Sequence, residues 1–155
     1  MTDLSDLLMP ELVAVDLSAA SRKSLFPQLG GLMAPALGLD PRAVAEALAA
    51  REKLGSTGFG GGVAIPHARV AGLDRIVIGV ARLAQPVDFD AVDDRPVDVV
   101  VTMLSPPRAG AEHLKALARV SRRFRDRLFV EKLRGAGSPD AIYALLASDV
   151  GRDAA

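Results

Sequence analysis

Ile76-Val77-Ile78-Gly79-Val80-Ala81-Arg82-Leu83 and Val97-Asp98-Val99-Val100-Val101-Thr102-Met103-Leu104 are the two stretches on which the fold turns. Both are rich in β-branched side chains, which pack well on a pleated surface and are stiff in a helix, and both have strand length. Both look like central strands. Helices can be read on either side of them in the sequence. Upstream, Asp40-Pro41 pairs an N-cap side chain with a proline that loses nothing at the first helical position, and predicts a helix to about Lys53. Downstream, Gly110 to Phe124 reads as an amphipathic helix with Leu114, Leu117, Val120, Ser121 and Phe124 on one side. Ser138-Pro139-Asp140 opens a last helix through Leu146.

Farther from the two strands the signals are less regular. Leu4, Leu7 and Leu8 suggest a short opening helix, and Glu11 to Leu17 alternates polar and apolar residues like a half-buried strand. Ser18 is placed to cap a helix with apolar positions Leu25, Leu29, Leu32, Met33, Ala36 and Leu37, which Pro27, Gly30, Gly31 and Pro35 are expected to kink or interrupt. Leu54 to Gly62 reads as a loop, and Val63-Ala64-Ile65 as a brief strand that Pro66 ends. Helix and strand alternate, so the expected class is α/β, in a single domain over residues 1–155.

Composition narrows the function classes. A chain of 155 residues can withdraw roughly 70% of its unfolded surface from water, enough for a substantial core. Nineteen basic and nineteen acidic residues cancel, so no net field gathers nucleic acid. With no Trp and one Tyr there is little to stack on bases or sugar rings. Cysteine is absent, which excludes disulfides and thiolate chemistry. The start, Met1-Thr2-Asp3-Leu4-Ser5-Asp6, lacks the positive region of a secretory signal, and no apolar run approaches the roughly 20 residues that span a bilayer. The expectation is a cytoplasmic protein with no membrane insertion.

One segment carries chemistry. Five glycines fall between Gly55 and Gly62, and His67, one of two histidines, follows closely. Glycines let the backbone take positive φ and turn several N–H groups toward one anion, so Ser56, Thr57, Gly58, Gly60 and Gly62 are candidate phosphate-binding residues. A neutral imidazole beside such a loop is a nucleophile facing a place for phosphoryl oxygens. Two familiar glycine motifs do not fit. Val63 stands where a dinucleotide fingerprint needs its third glycine, and no Gly-Lys-Ser or Gly-Lys-Thr marks a nucleotide P-loop. His113, in the first turn of its predicted helix, lies where unpaired N–H groups favour an anion and a neutral ring. Arg51, at the end of the preceding helix, offers a permanent planar cation. Each also has a plain structural reading, as an exposed or helix-end residue.

Taken together, Arg51-Glu52-Lys53-Leu54-Gly55-Ser56-Thr57-Gly58-Phe59-Gly60-Gly61-Gly62-Val63-Ala64-Ile65-Pro66-His67-Ala68 resembles the active-site signature of the fructose/mannitol-type (type 2) enzyme IIA domains of the phosphotransferase system. The resemblance covers nearly the whole chain. It implies a central mixed β-sheet flanked by α-helices on both faces, with His67 as the phosphorylated nucleophile. It also carries the family's second histidine to His113, within Ala111-Glu112-His113-Leu114, and its arginine to Arg51. Leu8-Met9-Pro10-Glu11-Leu12-Val13 and Pro86-Val87-Asp88-Phe89-Asp90-Ala91-Val92-Asp93 look most like the nitrogen-regulatory branch, although Gly61 replaces a residue that is often polar there. The resemblance implies phosphoryl acceptance from an HPr-like phosphocarrier (NPr) charged by enzyme I. Regulatory targets such as potassium transporters or sensor kinases would follow, with no cofactor or metal. Alternatives are a sugar-specific enzyme IIA feeding a membrane permease and a regulatory binding module without phosphoryl transfer; a two-histidine metal site lacks further ligands. Residues 105–135 carry nine bases against three acids, either a solvated face or a docking surface for an acidic partner.

Overall fold

The two β-branched runs form the middle of the molecule. In the computed structural model, which describes residues 4–148, they are strands β5 (Val77–Val87) and β6 (Val97–Ser105), paired antiparallel with Val80 opposite Val101 and Ile78 opposite Met103. Strand β1 (Leu8–Leu17) lies parallel on the far side of β5. On the far side of β6 lie β3 (Val63–Ala64) and β4 (His67–Arg69), both parallel to it, and β2 (Gly58–Gly60) pairs antiparallel with β3. The sheet is mixed and six-stranded, in the order β1-β5-β6-β3-β2 with β4 also on β6.

Both faces are covered, which is why the central strands read as continuous apolar runs. Helices α1 (Arg22–Leu37) and α2 (Pro41–Lys53) cover one face, where Leu25, Leu29, Met33 and Leu48 pack with Val77, Val100 and Leu104. Helices α3 (Ala111–Phe124), α4 (Arg127–Gly135) and α5 (Pro139–Ala147) cover the other, where Val120, Phe124, Leu133 and Ile142 pack with Ile78, Val99, Val101 and Met103. Among the described residues, no helix is long and apolar enough to cross a membrane.

Several local expectations are corrected. Leu4, Leu7 and Leu8 do not make a helix: one turn, closed by Leu7 N–H donating to the Leu4 carbonyl at 2.9 Å, tucks all three leucines into the core. The cap of α1 is Ser21, not Ser18. Its hydroxyl accepts from Ser24 N–H at 3.1 Å and Ser24 Oγ accepts from Ser21 N–H at 3.0 Å, a reciprocal capping box. Nor is α1 interrupted. Pro27 and Pro35 lie on its exposed side, and the carbonyls they leave without an N–H partner belong to Lys23 and Gly31, also exposed, so water can satisfy them while the buried stripe holds the helix. In α3 the buried stripe is rotated: His113, Ala116, Val120 and Phe124 are buried, whereas Leu114 is 65% exposed. Helix α4 has no counterpart in the sequence expectations. Asp126 caps it by accepting from Leu128 and Phe129 N–H, and Arg82 of β5 donates to the carbonyls of Leu133 and Arg134 at its end.

Candidate active site

The site grows from the edge of the sheet where β3 gives way to β4. Pro66 does not end the pairing. Its carbonyl accepts from Met103 N–H at 2.9 Å, and the register runs on from Ala64 opposite Val100 to His67 opposite Met103. Proline withholds only a donor, so the ladder loses one bond and keeps its alignment. His67 is thereby fixed to the central strand, half-buried at the sheet's edge.

The hydrogen bonds of His67 define its proton. Nδ1 lies 2.8 Å from the Ile65 carbonyl, which can only accept, so the hydrogen sits on Nδ1 and the lone pair on Nε2. Arg51, in the last turn of α2, directs its Nε–H at that lone pair over 3.3 Å and anchors its Nη1 on the Gly55 carbonyl at 2.9 Å. Burial lowers the pKa of His67 below 6.5, and the Arg51 guanidinium pushes the same way, against the bond to Ile65. The ring is neutral at pH 7.

His113 stands behind it on α3, 4% exposed, with the two ring centroids 5.7 Å apart and the planes inclined by 52°. Its Nδ1 lies 2.7 Å from Oγ of Ser105, the fully buried last residue of β6. Burial, then Arg69 and then His67 lower its pKa to about 4. Two neutral imidazoles and one guanidinium therefore share the end of the sheet, and a groove of about 190 Å³ running past Phe59 and Leu117 opens onto Arg51 and His67, with His113 buried behind them.

The glycine loop has a different part from the one expected. Thr57 donates its backbone N–H and its hydroxyl to Glu52, at 3.0 and 2.6 Å, and the Ser56 hydroxyl donates to the Phe89 carbonyl. Gly58 N–H donates to Ser56 Oγ at 3.0 Å. The amides of Thr57 and Gly58 are thus turned inward instead of converging on an anion beside His67. Gly60, Gly61 and Gly62, all at positive φ, form the β2–β3 turn. Gly61 N–H donates to Asp93 and its carbonyl accepts from Arg134. Ser56 and Thr57 line the His67 groove, whereas Gly60 lines a neighbouring one.

Two supporting residues escaped the sequence reading. Glu52, whose side chain is 5% exposed, accepts from Thr57 and from Arg22 Nη1 at 3.2 Å, and so ties α1 and the loop to the helix turn that carries Arg51. Ser105 orients His113. Glu52 reads as an ordinary helix-surface acid and Ser105 as a strand end, because both are buried by elements distant in sequence.

A family model for the "Phosphoenolpyruvate-dependent sugar phosphotransferase system, EIIA 2" matches residues 6–149. The chain belongs to this family. It is 44% identical over 144 residues to a nitrogen regulatory protein of Bradyrhizobium diazoefficiens, covering 93% of this chain and 94% of that one. It is 40% identical over 148 residues to a nitrogen regulatory protein of Pseudomonas aeruginosa, covering 94% and 96%. The crystal structure of the nitrogen regulatory protein IIA-Ntr from Neisseria meningitidis superposes with a TM-score of 0.85 at 37% identity, covering 92% of this chain and 98% of that one. The mixed sheet with helices on both faces is thus the fold of type 2 enzyme IIA proteins.

Proposed function

We propose that this chain is a phosphoryl carrier in which Nε2 of His67 takes a phosphoryl group from the phosphohistidine of a small HPr-like carrier (NPr), itself charged by enzyme I. The observation that carries the reading is the pairing at His67: a hydrogen fixed on Nδ1 by the Ile65 carbonyl, and a lone pair on Nε2 met by Arg51. In the transfer the N–P bond of the donor histidine breaks, with its electron pair returning to the donor ring, as the Nε2–P bond forms in line. The positive charge this places on His67 is shared with Nδ1–H, which keeps its bond to Ile65. Arg51 Nε–H must leave the lone pair as phosphorus arrives, and the same guanidinium is then beside the phosphoryl oxygens to neutralise them. In this reading Ser105 donates its hydroxyl to Nδ1 of His113, which leaves Nε2–H of that ring as a donor to the same group. Ser56 and Thr57 line the groove, Gly58 holds Ser56 through its N–H, and Gly60 and Gly62 serve the turn behind it.

The name shared by the two relatives above, nitrogen regulatory protein, favours a regulatory output over the feeding of a sugar permease. On this reading the chain works in the cytoplasm, and its targets are proteins such as potassium transporters or sensor kinases. The test is intact-mass analysis after incubation with phosphoenolpyruvate, enzyme I and the carrier. One acid-labile phosphate per chain is expected on the wild type and none on His67→Ala; a labelled His67→Ala would overturn the assignment.

A further inference from the structure

The nine bases of residues 105–135 divide, in the folded chain, into structural and unengaged groups. Arg119 pairs with Asp6 at 2.7 Å. Arg123 lies 3.7 Å over the Phe129 ring and donates to the Ser148 carbonyl. Arg134 holds Asp98, Glu131 and the Gly61 carbonyl. Arg125 and Arg127, at the α3–α4 junction, have no side-chain hydrogen bond or ion pair among the described residues, and both are exposed. With Arg95 they edge a groove of about 640 Å³ between that junction, the β2–β3 turn and the 92–95 loop. Its floor is apolar, with Phe59, Phe124 and Val130, and Val92 stands at its rim 87% exposed.

The acids at this groove are already committed. Asp93 accepts from the N–H groups of Gly61 and Arg95, Glu131 accepts from Arg134, and Asp126, at the same junction, caps α4. Three guanidinium groups therefore face solvent around an apolar trough, Arg95 beside the Asp93 carboxylate and Arg125 and Arg127 with no side-chain hydrogen bond or ion pair among the described residues, an arrangement that exposes Arg charge and ring surface together. We infer that this groove is a docking surface for an acidic protein segment whose carboxylates flank an apolar side chain, the carboxylates meeting Arg95, Arg125 and Arg127 and the apolar group seating against Phe59 and Phe124. A bare polyanion fits less well, because it leaves the apolar floor and Val92 in water. Arg125 also lines the His67 groove, so the two surfaces adjoin. The inference does not require His67 to carry phosphate.

The experiment titrates the unphosphorylated, isotopically labelled full chain with a short synthetic peptide of Asp and Glu around a central Leu-Phe, followed by amide NMR. Shifts are expected at Phe59 to Gly61, at residues 92–95 and at residues 124–131. Affinity should fall on the order of tenfold in Arg95→Gln/Arg127→Gln, and steeply with salt. Replacing Leu-Phe by Ser-Ser in the peptide should weaken binding by a similar factor. Shifts that map elsewhere, or binding indifferent to the arginine substitutions, overturn the surface. Equal binding by the Ser-Ser peptide or by a single-stranded oligonucleotide overturns the acidic-apolar partner. The arginines are exposed, so an unchanged amide spectrum in the free variant verifies the fold.

Discussion

Arg51 and His67 meet nitrogen to nitrogen: the guanidinium Nε–H occupies the imidazole's Nε2 lone pair across 3.3 Å, while the ring's own hydrogen is held by Ile65 on the opposite side. The arginine therefore covers the lone pair of the proposed nucleophile and stands beside anything that replaces it there. Removing it should have two separable effects.

In Arg51→Gln the His67 pKa should move upward, because a nearby positive charge that disfavours imidazolium is gone. Phosphoryl uptake should slow by roughly 10²-fold, the loss typical of one preorganised charge-stabilising donor. Ring-proton NMR titration reads the first effect and single-turnover labelling the second. A higher pKa with an unchanged rate would leave Arg51 as a cover alone.

His113 makes stability depend on pH in a predictable direction. Its pKa is lowered to about 4 in the folded chain against 6.5 unfolded, so between those values the unfolded state binds more protons. Stability is fully present above the unfolded value and is lost as pH falls from about 6.5 toward 4, by about 3 kcal/mol in all. His67, lowered by burial, adds to the loss with the same sign. Urea unfolding at pH 7 and pH 4.5 should show this slope in the wild type and a much smaller one in His113→Gln. Equal slopes would place the proton uptake elsewhere.

How far the sequence foretold these features depends on whether each rests on local or distant contacts. Central strands β5 and β6 were legible because burial on two faces leaves an unmistakable apolar run. The start of α2 was legible because Asp40 and Pro41 act within one turn. His67, Arg51 and His113 were marked by a motif whose parts the fold does bring together. The inward-turned loop was not, since Thr57 is claimed by Glu52 and Ser56 by the Phe89 carbonyl, and neither partner is signalled by glycine content. Helix α4 was hidden because its apolar positions, Phe129, Val130 and Leu133, lie within a segment that reads chiefly as basic.

Glu52 should matter for both stability and transfer. It accepts from Arg22 and twice from Thr57, so Glu52→Ala leaves the buried N–H and hydroxyl of Thr57 without their acceptor, while Arg22 keeps the Phe89 carbonyl and Asp90. The expected cost is about 2–4 kcal/mol, measured as a fall in the urea midpoint with an unchanged m-value. Phosphoryl uptake should also slow, because the turn bearing Arg51 loses its tie to the loop. A fall in rate without loss of stability would contradict the tying role.

Two adjacent glycines in α1 give the sharpest test of the packing beneath the site. A Cβ on Gly30 would stand 2.3 Å from the Pro41 carbonyl oxygen and 3.4 Å from Ala45 Cβ, whereas one on Gly31 would meet nothing within 4 Å. The obstacle at Gly30 is backbone, which cannot swing aside, so α1 and α2 would have to separate. That separation would disturb the helix that presents Arg51. Gly30→Ala should therefore destabilise by about 3 kcal/mol, the upper end for overpacking, and reduce phosphoryl uptake as well. Gly31→Ala replaces an exposed helical glycine by a better helix former and should stabilise by about 0.5–1 kcal/mol with uptake unchanged. Urea midpoints of the two variants, side by side, distinguish helix propensity from helix contact: if both shift alike, Gly30 is not the point at which α1 and α2 touch.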